Sequence, residues 1–261
     1  MKLLNKTLVV IIMIFLLMPI VSMIIWSFFS SWGADSLLPQ NLTLRGFLYF
    51  FISNDWIIAS RSVLYSVMVA FISLILSIML SRFFITTNFK YKAQLESLFY
   101  LPMLLPVVSV CIGSHKMFLK LFSGCSGLIV ILLHIYFSLP YAFKIVYSCY
   151  EIWGIEQEQV ARGLGATKLK AFYFINVPVY LNVYVTSFIM AFIISYSQYF
   201  INFFIGDSSF INFSMIMTPY ITGSDRNISS VYTMLYILHG IIVMIVCSFL
   251  EKNYYNKGRN I

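Results

Sequence analysis

Polar residues are sparse and grouped along this chain. Between the groups run six apolar stretches, at about 8–29, 62–84, 97–117, 128–148, 179–204 and 231–250. Each is close to the roughly 20 helical residues that cross a bilayer's hydrocarbon. They are solid apolar blocks, not the ten-residue alternating segments of an outer-membrane barrel. Helices are therefore predicted, because lipid offers no partner to an unpaired backbone group. The first stretch follows Lys2 and Lys6 but has no small-x-small cleavage site, so it reads as an anchor that stays. The expected fold class is an all-α membrane protein: six transmembrane helices in one domain over residues 1–261, with no soluble second domain.

Composition strengthens this reading. The chain is 61% hydrophobic and only 10% charged, whereas a soluble domain carries roughly a quarter charged residues. A net charge of +8 could signal nucleic acid. Here, however, the basic residues fall between apolar runs, as topology determinants do, so no nucleic-acid partner is expected.

With the N-terminus in the cytoplasm, the inside set is Lys2, Lys6, Arg82, Lys90, Lys92, Arg162, Lys168, Lys170, Lys252, Lys257 and Arg259. Outside or near the outer ends lie Arg45, Arg61, Lys116, Lys120 and Arg226, and Lys144 can snorkel inward from the fourth stretch. That bias puts both termini inside. The outer loops then fall at roughly 30–61, 118–127 and 205–230, with Trp26, Trp32, Trp56 and Tyr199 near their edges.

Few residues suggest chemistry. Cys111, Cys125, Cys149 and Cys247 form no C-x-x-C pair, and His115, His134 and His239 have no metal-ligand spacing. No metal site, catalytic residue or bound cofactor is expected. A membrane-embedded enzyme would need His, Asp or Glu clustered at one interface. A secondary transporter would show inverted repeats and interrupted helices, and neither is evident in the sequence. Polar residues inside the apolar stretches are candidate pathway residues: Ser109 and Ser114, His134, and Tyr196, Gln198 and Asn202. For each, the plain alternative is a hydrogen bond between helices.

The exception to the apolar pattern is the loop 149–178, which the charge bias places in the cytoplasm. Within it, "GIEQEQVARGL" is built of helix formers with acids early and Arg162 late, as suits the helix dipole. Gly165 is a candidate left-handed C-cap, Thr167 can cap a following helix, and Pro178 can open the fifth span. The expectation is two short helices joined at Gly165–Ala166. The alternative is an amphipathic linker on the lipid surface.

This loop resembles the "EAA" signature of ATP-binding-cassette importer permeases, E-A-A-x3-G-x9-I-x-L-P. Ala161, Gly165, Ile175 and Pro178 match it, and Val177 is conservative. Gln159 stands at the namesake acidic position with Glu158 beside it, and Val160 replaces an alanine. "LPMLLPVVSVCIG" is similar to the third span of these permeases, and "SMIMTPYITGSDRN" to the outer segment before the last span in thiamine, polyamine and ferric-iron types.

The resemblance implies one permease subunit of a bacterial inner-membrane importer. Its partners would be a cytoplasmic ATPase dimer holding ATP and Mg, a second and heterologous permease, and an external solute-binding protein. The loop would couple ATPase closure to rocking of the helices. Glu158, Gln159 and Arg162 would make polar contacts with the ATPase, and Ala161 would keep the docked face low. Gly165 and Ala166 would form the turn, and Pro178 would start the span. This chain itself has no G-x-x-x-x-G-K-[ST], so hydrolysis would belong to the partner.

Overall fold

A computed structural model describes residues 2–31, 39–121, 126–206 and 210–258. Trp32, Cys125 and Arg259, singled out above, lie outside the described residues. Helices make up nearly all of the described chain. Five are long and apolar enough to cross a membrane: Lys6–Phe28, Asp55–Thr86, Ser126–Trp153, Lys168–Tyr196 and Arg226–Asn256. A bent pair brings the number to six if it counts as one span. The protein is thus a multi-pass, membrane-embedded α-helical protein.

The chain divides into two compact units, residues 1–61 with 212–240 and residues 62–211 with 241–261. In the first, α1 (Lys2–Phe28) leads into a short antiparallel ribbon, β1 (Phe29–Ser31) against β2 (Gln40–Leu42), in the register Phe29 to Leu42. α2 (Arg45–Ile52) buries Gly46 and Phe50, one turn apart on one face. Phe50 meets the ring of Tyr232 edge-on at 5.5 Å, and Phe213 stacks on Tyr232 at 5.9 Å. These rings form a small aromatic core under α11 (Phe213–Thr222) and the start of α12 (Arg226–Gly258).

The buried Asn227 ties this unit together. Its Nδ2 donates to the carbonyls of Trp26, Ser27 and Phe29 at 3.0, 3.1 and 3.1 Å, and its Oδ1 accepts from the Gly46 N–H at 3.1 Å. One amide therefore satisfies carbonyls that α1 leaves unpaired at its end and seats α2 as well. Gly46 permits the approach, since a Cβ there would lie 2.7 Å from Val231 Cγ2.

The second unit holds the rest of α3 (Asp55–Thr86), then α4 (Lys92–Leu104), α5 (Val107–Leu121), α6 (Ser126–Trp153), α7 (Glu156–Gly163) and α8 (Lys168–Ala171). A π-helical turn, Phe172–Asn176, leads into α9 (Val177–Tyr196) and then α10 (Tyr199–Ile205). α6 and α9 pack closely over small buried residues, Ala142 and Ala191, and Ser187 Oγ donates to the Ala142 carbonyl at 3.2 Å. Between α3 and α6, Ser73 and Ser138 share a hydrogen bond of 2.8 Å. Phe84, Phe143 and Tyr147 make an aromatic cluster at the end of α3, with Phe143 and Tyr147 stacked at 5.1 Å.

Two of the expected spans are interrupted. The third, expected over 97–117, bends by 97° between α4 and α5. Pro106 supplies no N–H there and pushes Leu105 into an extended conformation, φ −85° and ψ 128°. The fifth, expected over 179–204, breaks at Ser197–Gln198. Interrupted helices, not evident in the sequence, are therefore present. Pro178 stands in the first turn of α9, as expected, although helical backbone already runs into it from Lys168. Pro178 follows the π turn, whose Val177 N–H reaches back five residues to the Phe172 carbonyl. The widened turn accommodates a ring that would crowd an ordinary α turn.

Candidate functional site

The charged loop forms the two joined elements its sequence implies. α7 has Glu156 and Glu158 in its first turn and Arg162 in its last. It closes through two backbone bonds: Ala166 N–H to the Ala161 carbonyl at 3.0 Å, and Gly165 N–H to the Arg162 carbonyl at 3.1 Å. This is a Schellman cap, and it requires the left-handed residue that Gly165 supplies at φ +95°. Ala161, Gly165 and Ala166 are thus parts of one motif. A Cβ at Gly165 would meet nothing within 4 Å, so backbone conformation rather than crowding selects glycine there. Thr167 then caps α8, its Oγ1 accepting from the Lys170 N–H at 3.4 Å.

One expected contact is corrected. Glu158 does not face outward; its side chain is 3% exposed and pairs with Arg82 of α3. The pair is bidentate, with Nη1 to Oε2 at 2.6 Å and Nη2 to Oε1 at 2.5 Å. The Arg82 guanidinium also lies 5.2 Å from the centre of the Phe172 ring. Of the other residues assigned to the loop, Gln159, Arg162 and Gly165 are exposed, and Ala161, Ala166 and Pro178 are partly buried.

Beneath the loop lies a second cluster that the sequence reading missed. The Tyr150 and Tyr184 hydroxyls both donate to Asn176 Oδ1, the former at 3.0 Å, and the Tyr180 hydroxyl donates to the Gly154 carbonyl. Tyr150 and Asn176 are fully buried. These bonds tie the end of α6 to the helix that follows α8. Tyr180 and Tyr184, one turn apart, were the sequence signal for an inward polar face.

The outer face of the loop is apolar in places. Val160, Leu164 and Leu169 are 63%, 86% and 81% exposed, although they sit among charged residues. Such a grouping marks a surface with something to cover it more often than scattered single apolar residues do.

The pathway candidates separate into those that meet and those that do not. His134 and Asn202 come together with Ser195, which was not anticipated. Asn202 Nδ2 donates to the Gln198 carbonyl at 2.7 Å, which fixes the orientation of its amide. The same Nδ2 lies 3.1 Å from His134 Nε2, so Nε2 accepts. The neutral ring therefore carries its proton on Nδ1, which lies 3.0 Å from Ser195 Oγ. His134 brackets the break at Ser197–Gln198, holding Ser195 before it and Asn202 after it. Tyr65 meets the imidazole edge-on at 4.9 Å. Tyr196 is buried and stacks on Phe192 at 5.4 Å. Ser109 lies exposed on α5.

Among the described residues, no group of three or more His, Cys, Asp or Glu could hold a metal ion. No known family model matches the chain, and no curated protein matches it.

Proposed function

We propose that this chain is the transmembrane permease subunit of an ATP-binding-cassette importer, with the loop around α7 as the element that docks on a separate cytoplasmic ATPase. The observation that supports this best is the combination at α7: a short helix closed at Gly165, seated on the bundle by its inner face, with Val160 and Leu164 open on the outside. Two of the residues resembling the permease signature, Ala161 and Gly165, build the cap, which gives that part of the resemblance a physical basis. On this reading both termini are cytoplasmic, a second and heterologous permease completes the pathway, and an external binding protein delivers the solute. ATP and Mg reside on the ATPase, and the membrane is the bacterial cytoplasmic membrane.

The test is capture. The tagged chain, purified from its native membrane in mild detergent, should bring along a protein with a phosphate-binding loop, and Leu164→Asp should abolish that capture at unchanged abundance. Purification of the native chain without any ATPase would overturn the reading.

A secondary transporter is the second reading, favoured by the interrupted helices at Leu105–Pro106 and Ser197–Gln198. Its test is solute uptake by the chain alone in proteoliposomes under an ion gradient. The importer reading expects none.

A further inference from the structure

We infer that Arg82 and Glu158 are positioning residues that join α7 to α3, so that a partner seated on α7 moves α3 through this ion pair. The inference rests on the coupling reading above. Its starting point is geometric. α7 is connected by the chain itself to α6 on one side and α8 on the other, and motion of α7 reaches those helices through covalent links only a few residues long. α3 has no such link, since Arg82 and Glu158 lie 76 residues apart in sequence. A bidentate guanidinium–carboxylate pair is suited to the role, because two parallel N–H···O bonds fix an angle as well as a distance.

The surroundings support a transmitting role over an external contact. Glu158 is buried on the inner side of α7, out of reach of anything docking from the cytoplasm, while Val160 and Leu164 remain free to meet it. Arg82 is held from a second direction by the Phe172 ring, which belongs to the turn between α8 and α9. The guanidinium thus joins α3, α7 and the start of the fifth helix at one point. Breaking such a pair by removing one charge leaves the other partly buried and uncompensated, so the seat of α7 should loosen rather than rearrange. Exchanging the two charges should restore part of it, because the buried charge regains a partner even though the guanidinium leaves the Phe172 ring.

Hydrogen exchange read by mass spectrometry tests this in two arms. In the purified chain alone, Glu158→Gln and Arg82→Gln should each speed exchange of the amides of residues 157–164 by about tenfold or more. The double variant Arg82→Glu with Glu158→Arg should return it part of the way to the native rate. No acceleration in the single variants, or a double variant as fast as they are, would overturn the positioning role.

In the complex captured with its ATPase, a non-hydrolysable ATP analogue should change exchange at residues 79–86 of α3. Each single variant should still capture the ATPase but lose this response, and the double variant should regain it. A response that persists in Glu158→Gln, or capture lost in that variant while α7 stays protected, would overturn the inference and place Glu158 on the ATPase instead. A native chain that captures no ATPase overturns the importer reading, and transmission from that partner with it. The first arm still decides whether the pair seats α7.

Discussion

Asn227 and the Arg82–Glu158 pair each join parts of the chain that lie far apart in sequence, and the two joints are made differently. Asn227 is a neutral amide whose partners are all backbone groups: three carbonyls around the end of α1 and the N–H of Gly46. Backbone groups cannot be exchanged by mutation, so only an asparagine in this rotamer fits. The ion pair is made of two side chains, and Arg82 is still 26% exposed. A joint of that kind is replaceable in principle by its mirror image. The difference separates a fixed anchor from a link whose two halves can be tested against each other.

The sharpest way to break the comparison is at Asn227. Asn227→Asp keeps the shape, removes the donor and sets a carboxylate against three carbonyl oxygens. Losing the bonds and leaving a buried charge should cost on the order of 3–5 kcal/mol. No second-site charge should rescue it. Abundance in the membrane and the thermal midpoint in detergent should both fall steeply. A variant as stable as the native chain would show that Asn227 is not an anchor.

Next in size is the His134 bracket. His134→Leu strands Asn202 and Ser195 beside the break in the fifth span, at a cost of about 1–2 kcal/mol, modest because hydrogen bonds between membrane helices average well below their expected worth. Asn202→Leu added to His134→Leu should cost less than Asn202→Leu alone, since only the bond to the Gln198 carbonyl is then left to lose. Full additivity in a thermal-stability cycle would show that the two residues do not act together.

How much of this was legible in the sequence depended on whether the deciding contact was local. The closure of α7 was readable at Ala161, Arg162, Gly165 and Thr167, because a Schellman cap and a Thr cap are made by residues within five positions of one another. The apolar stretches were readable because each is long enough to decide its own solvent. Prolines were not. Pro102 and Pro140 sit inside helices, Pro106 ends one, and Pro178 follows a π turn. What happens at each depends on which neighbouring groups take up the freed carbonyls, and that is a tertiary fact. Arg82 was counted only as a charge that sets topology. Its partner is 76 residues away, and nothing adjacent to either residue announces the pair. The resemblance assigns Glu158 to ATPase contact, and nothing local to α7 shows that its partner is Arg82 of α3.

Gly165 lets the comparison be sharpened within the loop itself. With open space around the position, Gly165→Ala carries only the backbone cost of a β-carbon at φ +95°, about 1 kcal/mol. Gly165→Asn should cost less, because asparagine tolerates the left-handed region. Both chains should insert at native abundance, with amide exchange at Gly165 and Ala166 faster in the order Asn, then Ala. Equal rates would mean that the glycine is chosen for room at a docked surface and not for its φ.

The smallest effect is expected at the exposed pair Arg45–Asp225, whose side chains are 55% and 38% exposed. Both charges keep most of their water, and salt screens what attraction remains, so Arg45→Ala should change stability by only about 0–1 kcal/mol. It therefore serves as a control for general misfolding in the first unit, and Arg226→Ala, also at an exposed basic residue, should cost more. The Arg226 guanidinium lies 5.3 Å from the centre of the Trp26 ring, and losing that contact costs about 0.5–1 kcal/mol of its own. The two can be separated by salt. Raising ionic strength should shrink any difference between Arg45→Ala and the native chain, while the loss in Arg226→Ala, made of ring contact and stem packing, should persist. If Arg45→Ala instead lowers the thermal midpoint as far as Asn227→Asp does, the exposed pair is part of the anchor, and the contrast between fixed and replaceable joints fails at its outer end.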